Sequence, residues 1–251
     1  MLTPPEAILF DVYETLVENE RPDWVEAFAR ICEQQSLPLT GEELYSAWKA
    51  HEVEFRRRRT DMGSPENSPA FKPYREAWQE CFRATFNEHG IAGDAVHGAE
   101  VAVDHMASRF AYPETHEALE ELSKRVRLGV FSNADNDFLR PLFHHNALWR
   151  YFDVVISSED AGVYKPHPDA FRHILSRMGV DERSAWYVGD HPYDDILGAS
   201  TAGVTAIWQN RFGQPLPEGR PTPDHTITNL MDLTALYDSI AGEEAVIGRE
   251  D

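Results

Sequence analysis

Cysteine is scarce in this chain. Two thiols, Cys32 and Cys81, stand among 251 residues. They are far apart and both fall in segments that read as helix, so they suggest buried small residues in a reducing compartment rather than a disulfide framework. Long apolar runs are also missing. No stretch approaches the roughly eighteen apolar residues of a membrane span. The opening residues, MLTPPEAILF, lack the basic segment that precedes the apolar part of a secretory leader. The expectation is a soluble cytoplasmic protein. Basic residues are heavily outnumbered, 23 Lys and Arg against 43 Asp and Glu, for a formal charge of −20. Nucleic acid and anionic membranes are bound by Lys/Arg-rich surfaces, so neither is expected as a partner. A small anionic substrate would have to be held by a local positive feature, either a bound metal or a few placed cations. Internal repeats and low-complexity segments are absent, and nothing marks an oligomeric state.

The sequence does contain a change of rhythm. Residues 7–13, AILFDVY, form a short apolar run with an acid near its end, the pattern of a buried parallel strand. Residues 17–111 then carry aromatic and aliphatic side chains at helical spacing, such as Trp24, Phe28 and Ile31, or Tyr74, Trp78 and Phe82. Pro65, Pro69 and the Gly and Ser around them mark a loop within this stretch. After Pro113 strands and helices alternate. Helices are expected at 114–124, 136–147, in HPDAFRHILSRMG ending at Gly179, and at 194–203. Strands are expected at 126–132, 153–157, 185–190 and 204–209. Residues 211–224, rich in Gly and Pro, read as a surface loop, and the acidic tail after Gly242 as a frayed end. Alternation implies an α/β fold, a doubly wound, Rossmann-like parallel sheet covered on both faces. Residues 1–16 and 112–251 would form this core, and 17–111 an inserted all-helical cap domain.

Ligands of doubly wound sheets bind at the carboxyl ends of the strands. Four predicted strand ends carry polar residues: Asp11 with Thr15, Ser132 with Asn133, Lys165 with Pro166, and Asp190 with Asp194 and Asp195. Each has a bland explanation alone. Asp11 suits a turn, Asn133 or Asp194 a helix cap, and Lys165 a solvated proline turn. Their recurrence at strand after strand points instead to one site.

Together these segments resemble the haloacid dehalogenase-like hydrolases, subfamily I, which carry a helical cap. FDVYETL (10–16) is similar to that family's opening motif, FSNAD (131–135) to its Ser/Thr motif, VYKPHPDAF (163–171) to its Lys motif and VGDHPYDDILGA (188–199) to its acidic motif. The resemblance implies that Asp11 is a nucleophile forming a covalent intermediate, which divides one hard step into two. It implies that Lys165 neutralises charge, and that Ser132 and Asn133 donate hydrogen bonds to the transferred group. Thr15 belongs to the same catalytic set. A Mg²⁺ site would comprise Asp11, the carbonyl of Tyr13, Asp190 and Asp195, with Asp194 as the alternative to Asp195.

Two motifs pull apart. Phosphatases of this family carry a second Asp where this chain has Tyr13, and that Asp protonates the leaving oxygen. The L-2-haloacid dehalogenases carry Tyr there, because a departing halide needs no proton. A segment from Trp48 to Phe55 also resembles a dehalogenase cap segment, with Lys49 where those enzymes have a halide-supporting Arg. The acidic motif instead resembles Mg²⁺-dependent phosphatases acting on flavin mononucleotide and nucleotides. The favoured expectation is a Mg²⁺-dependent phosphatase of small phosphorylated metabolites. The alternatives are a metal-independent 2-haloacid dehalogenase and a low-turnover binding or regulatory module. Arg56–Arg59 is read as a solvated run at a helix end, with an anion-attracting rim as the sharper alternative. His191, beside Asp190, would either touch substrate or shape its loop.

Overall fold

The computed structural model describes residues 3–247. Apart from short 3₁₀ turns, the chain runs β1 (Ala7–Phe10), α1 (Arg21–Gln35), α2 (Gly41–Arg58), α3 (Tyr74–His89), α4 (Ala95–Ala107), α5 (Thr115–Ser123) and β2 (Arg127–Ser132). It continues through α6 (Asn136–His145), β3 (Val154–Ser157), α7 (Ser158–Ala161), α8 (Pro168–Met178) and β4 (Ala185–Gly189). A π-helical turn (Pro192–Leu197) runs into α9 (Gly198–Thr201), followed by β5 (Thr205–Gln209), β6 (His225–Ile227) and α10 (Leu230–Ile247). Two compact units result. One contains the residues up to Glu18, Ala111–Asn133 and the chain from Ala147 onward; the other contains Asn19–Phe110 and Ala134–Asn146.

The first unit is the expected α/β fold. Its six strands are all parallel, in the order β3-β2-β1-β4-β5-β6. Alternate residues feed opposite faces. Ala7, Leu9, Ala185, Tyr187, Ala206 and Trp208 share one core with Phe171, Ile174, Leu175 and Met178 of α8. The intervening residues, among them Ile8, Phe10, Val130 and Val188, are equally buried. On that phase Trp186 meets Tyr237 of α10 edge to face, with centroids 6.3 Å apart. Burial on both faces is why these strands read as unbroken apolar runs. The turn after α8 is capped as the sequence suggests, with Gly179 left-handed at φ +66°.

The second unit is all helical. Thr40 and Glu43 form a reciprocal capping box at the start of α2. Trp24, Phe28, Trp48, Trp78 and Phe82 build the core, the Trp24 and Trp48 rings stacking at 5.7 Å. Cys32 and Cys81 are buried free thiols. Helix α6, which the sequence reading assigns to the sheet-bearing part, belongs to this unit. Its Phe138 stacks on Trp78 at 5.6 Å, and Asp135 just before it accepts the Tyr74 and Arg75 N–H groups, both at 2.8 Å. Those bonds cap α3, whose own N-cap is Pro73.

Three elements of the sheet-bearing unit were not foreseen: the short helix α7, β6 and α10. Helix α10 passes Gly242 and continues to Ile247, where the sequence suggested fraying; residues 248–251 lie outside the described residues. No helix among the described residues is long and apolar enough to cross a membrane.

Candidate active site

The polar strand ends converge where β1 and β4 lie side by side. There the sheet order departs in opposite directions, the crevice at which doubly wound sheets bind ligands. Asp11 follows β1, and its N–H donates to the Val188 carbonyl of β4 at 2.9 Å. The chain then folds into a tight turn. The Leu16 and Val17 N–H groups both donate to the Val12 carbonyl, at 2.7 and 3.0 Å, and that of Glu14 donates to the Val17 carbonyl at 2.8 Å. Tyr13 is buried in this turn. Glu14 sits in the left-handed region at φ +63°, which costs an L-residue about 1–2 kcal/mol. Thr15 is fully buried, and its hydroxyl has no hydrogen-bond partner among the described residues.

Lys165 is the centre of the charge arrangement. Its Nζ donates to Asp11 Oδ1 at 2.6 Å, to Asp195 Oδ1 at 2.7 Å and to the Tyr187 hydroxyl at 2.7 Å. An ammonium has three hydrogens, and each has an acceptor here. The Tyr187 hydroxyl in turn donates a hydrogen bond to the Phe131 carbonyl at 2.8 Å. Burial works against the charge on Lys165, but the carboxylates of Asp11 and Asp195 outweigh it and hold the pKa well above the ordinary lysine value. Burial pushes the Asp11 carboxyl up to about 6 against the pull of Lys165, with Asp195 adding to the rise. The Ser132 hydroxyl lies 3.4 Å from Asp11 Oδ1. The Asn133 side chain clamps the lysine backbone instead of capping α6. It accepts from the Lys165 N–H at 2.8 Å and donates to the Lys165 carbonyl at 3.1 Å.

The acidic side is shaped by the π-helical turn. Such turns are rare and concentrate at functional sites. Asp195 turns back toward the sheet with both oxygens engaged, Oδ1 on Lys165 and Oδ2 on the His191 N–H at 2.9 Å. Gly189 makes room for it, because a Cβ there would lie 2.4 Å from Asp195 Cγ. His191 Nδ1 accepts from the Asp194 N–H at 3.0 Å, so this histidine shapes the loop. Asp194 lies 3.4 Å from the Asn133 amide. Among the described residues, Asp11, Asp190 and Asp195 each offer a carboxylate oxygen, all within 4.8 Å of one another. Burial first, then the charges of Asp195, Asp11 and Glu14, push the Asp190 pKa well above the carboxylate range. Several buried carboxyl groups around one ammonium are electrostatically unfavourable. A hard-oxygen set of this kind suits a small divalent cation.

Lys49 belongs to the helical unit, where its Nζ pairs with the buried Glu52 at 2.7 Å. In the basic run, Arg57 and Arg58 both pair with Glu54, whereas Arg59 is buried against Tyr74 and donates to its hydroxyl. The run is therefore not one solvated face.

A family model described as haloacid dehalogenase-like hydrolase matches residues 5–203. The chain belongs to this family. It is a hydrolase, and its relatives include enzymes of two kinds. Over 223 residues it is 28% identical to haloacetate dehalogenase H-2 of Moraxella sp. (strain B), covering 88% of this chain and 93% of that one. Over 246 residues it is 28% identical to a phosphoglycolate phosphatase of Nitrosococcus oceani, covering 96% and 100%. The fold also matches that of the L-2-haloacid dehalogenase RSc1362, with a TM-score of 0.77 at 23% identity, over 94% of this chain and 100% of that one.

Three residues of this hydrolase's site were not singled out from the sequence. Tyr187 is one, hidden because a tyrosine in AWYVGD reads as strand core. The others are Trp208, whose indole donates to the Asp190 carbonyl at 2.8 Å, and the buried Gln209, whose amide donates to the Thr15 carbonyl at 2.8 Å. Both end β5, and a polar residue closing an apolar strand was the available signal.

Proposed function

We propose that this chain is a Mg²⁺-dependent phosphohydrolase acting on small phosphorylated metabolites, with Asp11 as nucleophile. The observation that carries this reading is Asp190, a third carboxyl group beside Asp11 and Asp195 at the β1–β4 crevice. A site for a haloacid carboxylate without metal gains nothing from that added negative charge.

Asp11 and Asp190, with the main-chain carbonyl of Tyr13, would hold the ion. Asp195, bound through both oxygens, orients Lys165 from behind. When bound, Mg²⁺ offsets charge on the phosphoryl group and on the carboxylates. An Asp11 oxygen attacks phosphorus, the bond to the leaving oxygen breaks, and its electron pair departs with the leaving group. Water then attacks the phosphorus of the acyl phosphate, releasing phosphate and restoring Asp11. Lys165 keeps Asp11 ionised and faces the anion, and Ser132 donates to a phosphoryl oxygen. Tyr13 supplies no carboxyl to protonate the leaving oxygen, so good leaving groups are favoured.

A second reading, a 2-haloacid dehalogenase, is favoured by Tyr13 itself and by the haloacetate dehalogenase among the relatives. The deciding experiment measures phosphate and halide release from matched panels of phosphate esters and 2-haloacids, with Mg²⁺ and with chelator. The expected outcome is Mg²⁺-dependent phosphate release that Asp11→Asn abolishes. Halide release undiminished in chelator would replace this reading with the second one.

A further inference from the structure

The ammonium beside the nucleophile is anchored by a residue that the reading above does not use. Tyr187 lies in the middle of β4, fully buried, in one apolar core with Leu9, Phe131, Phe171 and Ile174. A hydroxyl buried there without a partner would cost free energy. This one is satisfied in both directions, accepting from Lys165 Nζ at 2.7 Å and donating to the Phe131 carbonyl at 2.8 Å. The ring is set by Phe171 of α8, edge to face with centroids 4.9 Å apart. Phe171 in turn fits over Gly198, where a Cβ would lie 2.4 Å from its Cε2. Phe131 and Asn133 flank Ser132 at the end of β2. Lys165 is therefore tied to this strand end twice, its main chain by Asn133 and its ammonium by Tyr187.

The three acceptors of the ammonium differ in what turnover does to them. Asp11 loses its negative charge once one of its oxygens is bonded to phosphorus, and its hold on Lys165 weakens. Tyr187 is neutral and unchanged throughout. A lysine side chain is a flexible four-carbon stem, so a fixed neutral acceptor keeps its charge in place while the carboxylate is esterified. Resting on the reading of Asp11 as nucleophile, but on no metal ligation, we propose that Tyr187 is a positioning residue that holds Lys165 at the esterified Asp11. Its effect falls on the second step. There water attacks phosphorus, the bond from phosphorus to Asp11 breaks, its electron pair returns to the carboxylate, and the water's proton leaves to solvent. Negative charge redevelops on Asp11, and an ammonium already in place stabilises it.

The test is quenched-flow kinetics of the full-length chain, wild type and Tyr187→Phe, on p-nitrophenyl phosphate with MgCl₂, with mass spectrometry of the acid-quenched protein. Chloroacetate, run in parallel without Mg²⁺, gives the same comparison through chloride release and alkylated Asp11 if the substrate is a haloacid. Phenylalanine removes only the hydroxyl. Steady-state turnover should fall at least about tenfold, the effect of losing one hydrogen bond to a charged group. The first-turnover burst should stay complete, and the variant should accumulate the adduct on Asp11. The burst amplitude counts folded chains, so a purely structural role lowers burst and steady rate in proportion. That outcome overturns the inference, and so does unchanged turnover in a variant whose Asp11 still forms the adduct. Product released by the wild type and the variant with no adduct on Asp11 removes the nucleophile reading itself, and the inference with it.

Discussion

Lys165 holds three oxygens with one buried ammonium, and two of those oxygens belong to carboxylates. Replacing it with methionine keeps much of the volume and removes the charge. Asp11 and Asp195 would then face each other uncompensated. Breaking a buried ion pair from one side typically costs about 3–5 kcal/mol, so Lys165→Met should lose that much stability in chelator, read by urea unfolding, together with all turnover. A loss below about 1 kcal/mol would show that the carboxyl groups are already neutral. Tyr13 invites the opposite experiment, adding a group. If the leaving oxygen departs unaided, Tyr13→Asp should raise alkyl-phosphate turnover by about 10²-fold, the lower end of general acid–base contributions, and raise aryl-phosphate turnover much less. Equal gains on both substrate classes would argue that the added carboxylate acts on metal binding and not on the leaving group.

Two helix-level features concern the helical unit alone. Asp135 closes the start of α3 by accepting from two main-chain N–H groups. Asp135→Ala leaves both unpaired in a buried setting and should cost about 1–2 kcal/mol, measured as a shift in denaturation midpoint. His105 of α4 is buried with neither ring nitrogen hydrogen-bonded among the described residues, and its ring lies 4.5 Å from that of Trp24. Burial, with smaller contributions from Arg109 and Arg30, lowers its pKa to about 3. An unfolded histidine titrates near ~6.5. Between those values only the unfolded chain takes up the proton, so stability is full above pH ~6.5 and falls as the pH drops through the window. At pH 5 the loss should be on the order of 2 kcal/mol. Thermal melts of wild type and His105→Leu from pH 4 to 8 should diverge on the acid side, and parallel curves would contradict the assignment.

Buried parallel strands such as AILF announce themselves because both faces are apolar, and the helical unit shows itself through aromatic spacing. Strand β6 carries His225 and Thr226 exposed, so it has no apolar run to notice. Helix α10 carries Leu230, Leu233 and Tyr237 at helical spacing, but the Pro-rich loop before it masks its start. Asp11 and Asp190 were legible because they directly follow β1 and β4, where a doubly wound sheet gathers its polar residues. Lys165, expected at a strand end, instead lies in the loop between α7 and α8, and Asp195 in the π-helical turn, and both were legible through their motifs. Tyr187 and Gln209 were not. A strand tyrosine looks like core, and a glutamine closing an apolar strand looks like a strand end, until the three-dimensional contacts supply their partners.

For the molecule as a whole, the order of the strands matters beyond the crevice it creates. Ala7 of β1 pairs with Arg127 on one side and Ala185 on the other. The strand that leads into Asp11 is synthesised before both of its neighbours, which are made much later. Chains lengthen at ~5–20 residues per second, so β1 waits on the order of ten seconds or more before β4 leaves the ribosome. Such non-local pairings are slow to form. Helices α1–α4 finish well before either neighbouring strand exists. During that interval AILF is an apolar segment with unpaired edges on both sides. Pulse-labelled amide exchange during refolding should find α1–α4 protected before β1, and early protection of Ala7–Phe10 would contradict this order. For this hydrolase, β1 is thus left open to a chaperone or to a neighbouring nascent chain until its partners β2 and β4 are made.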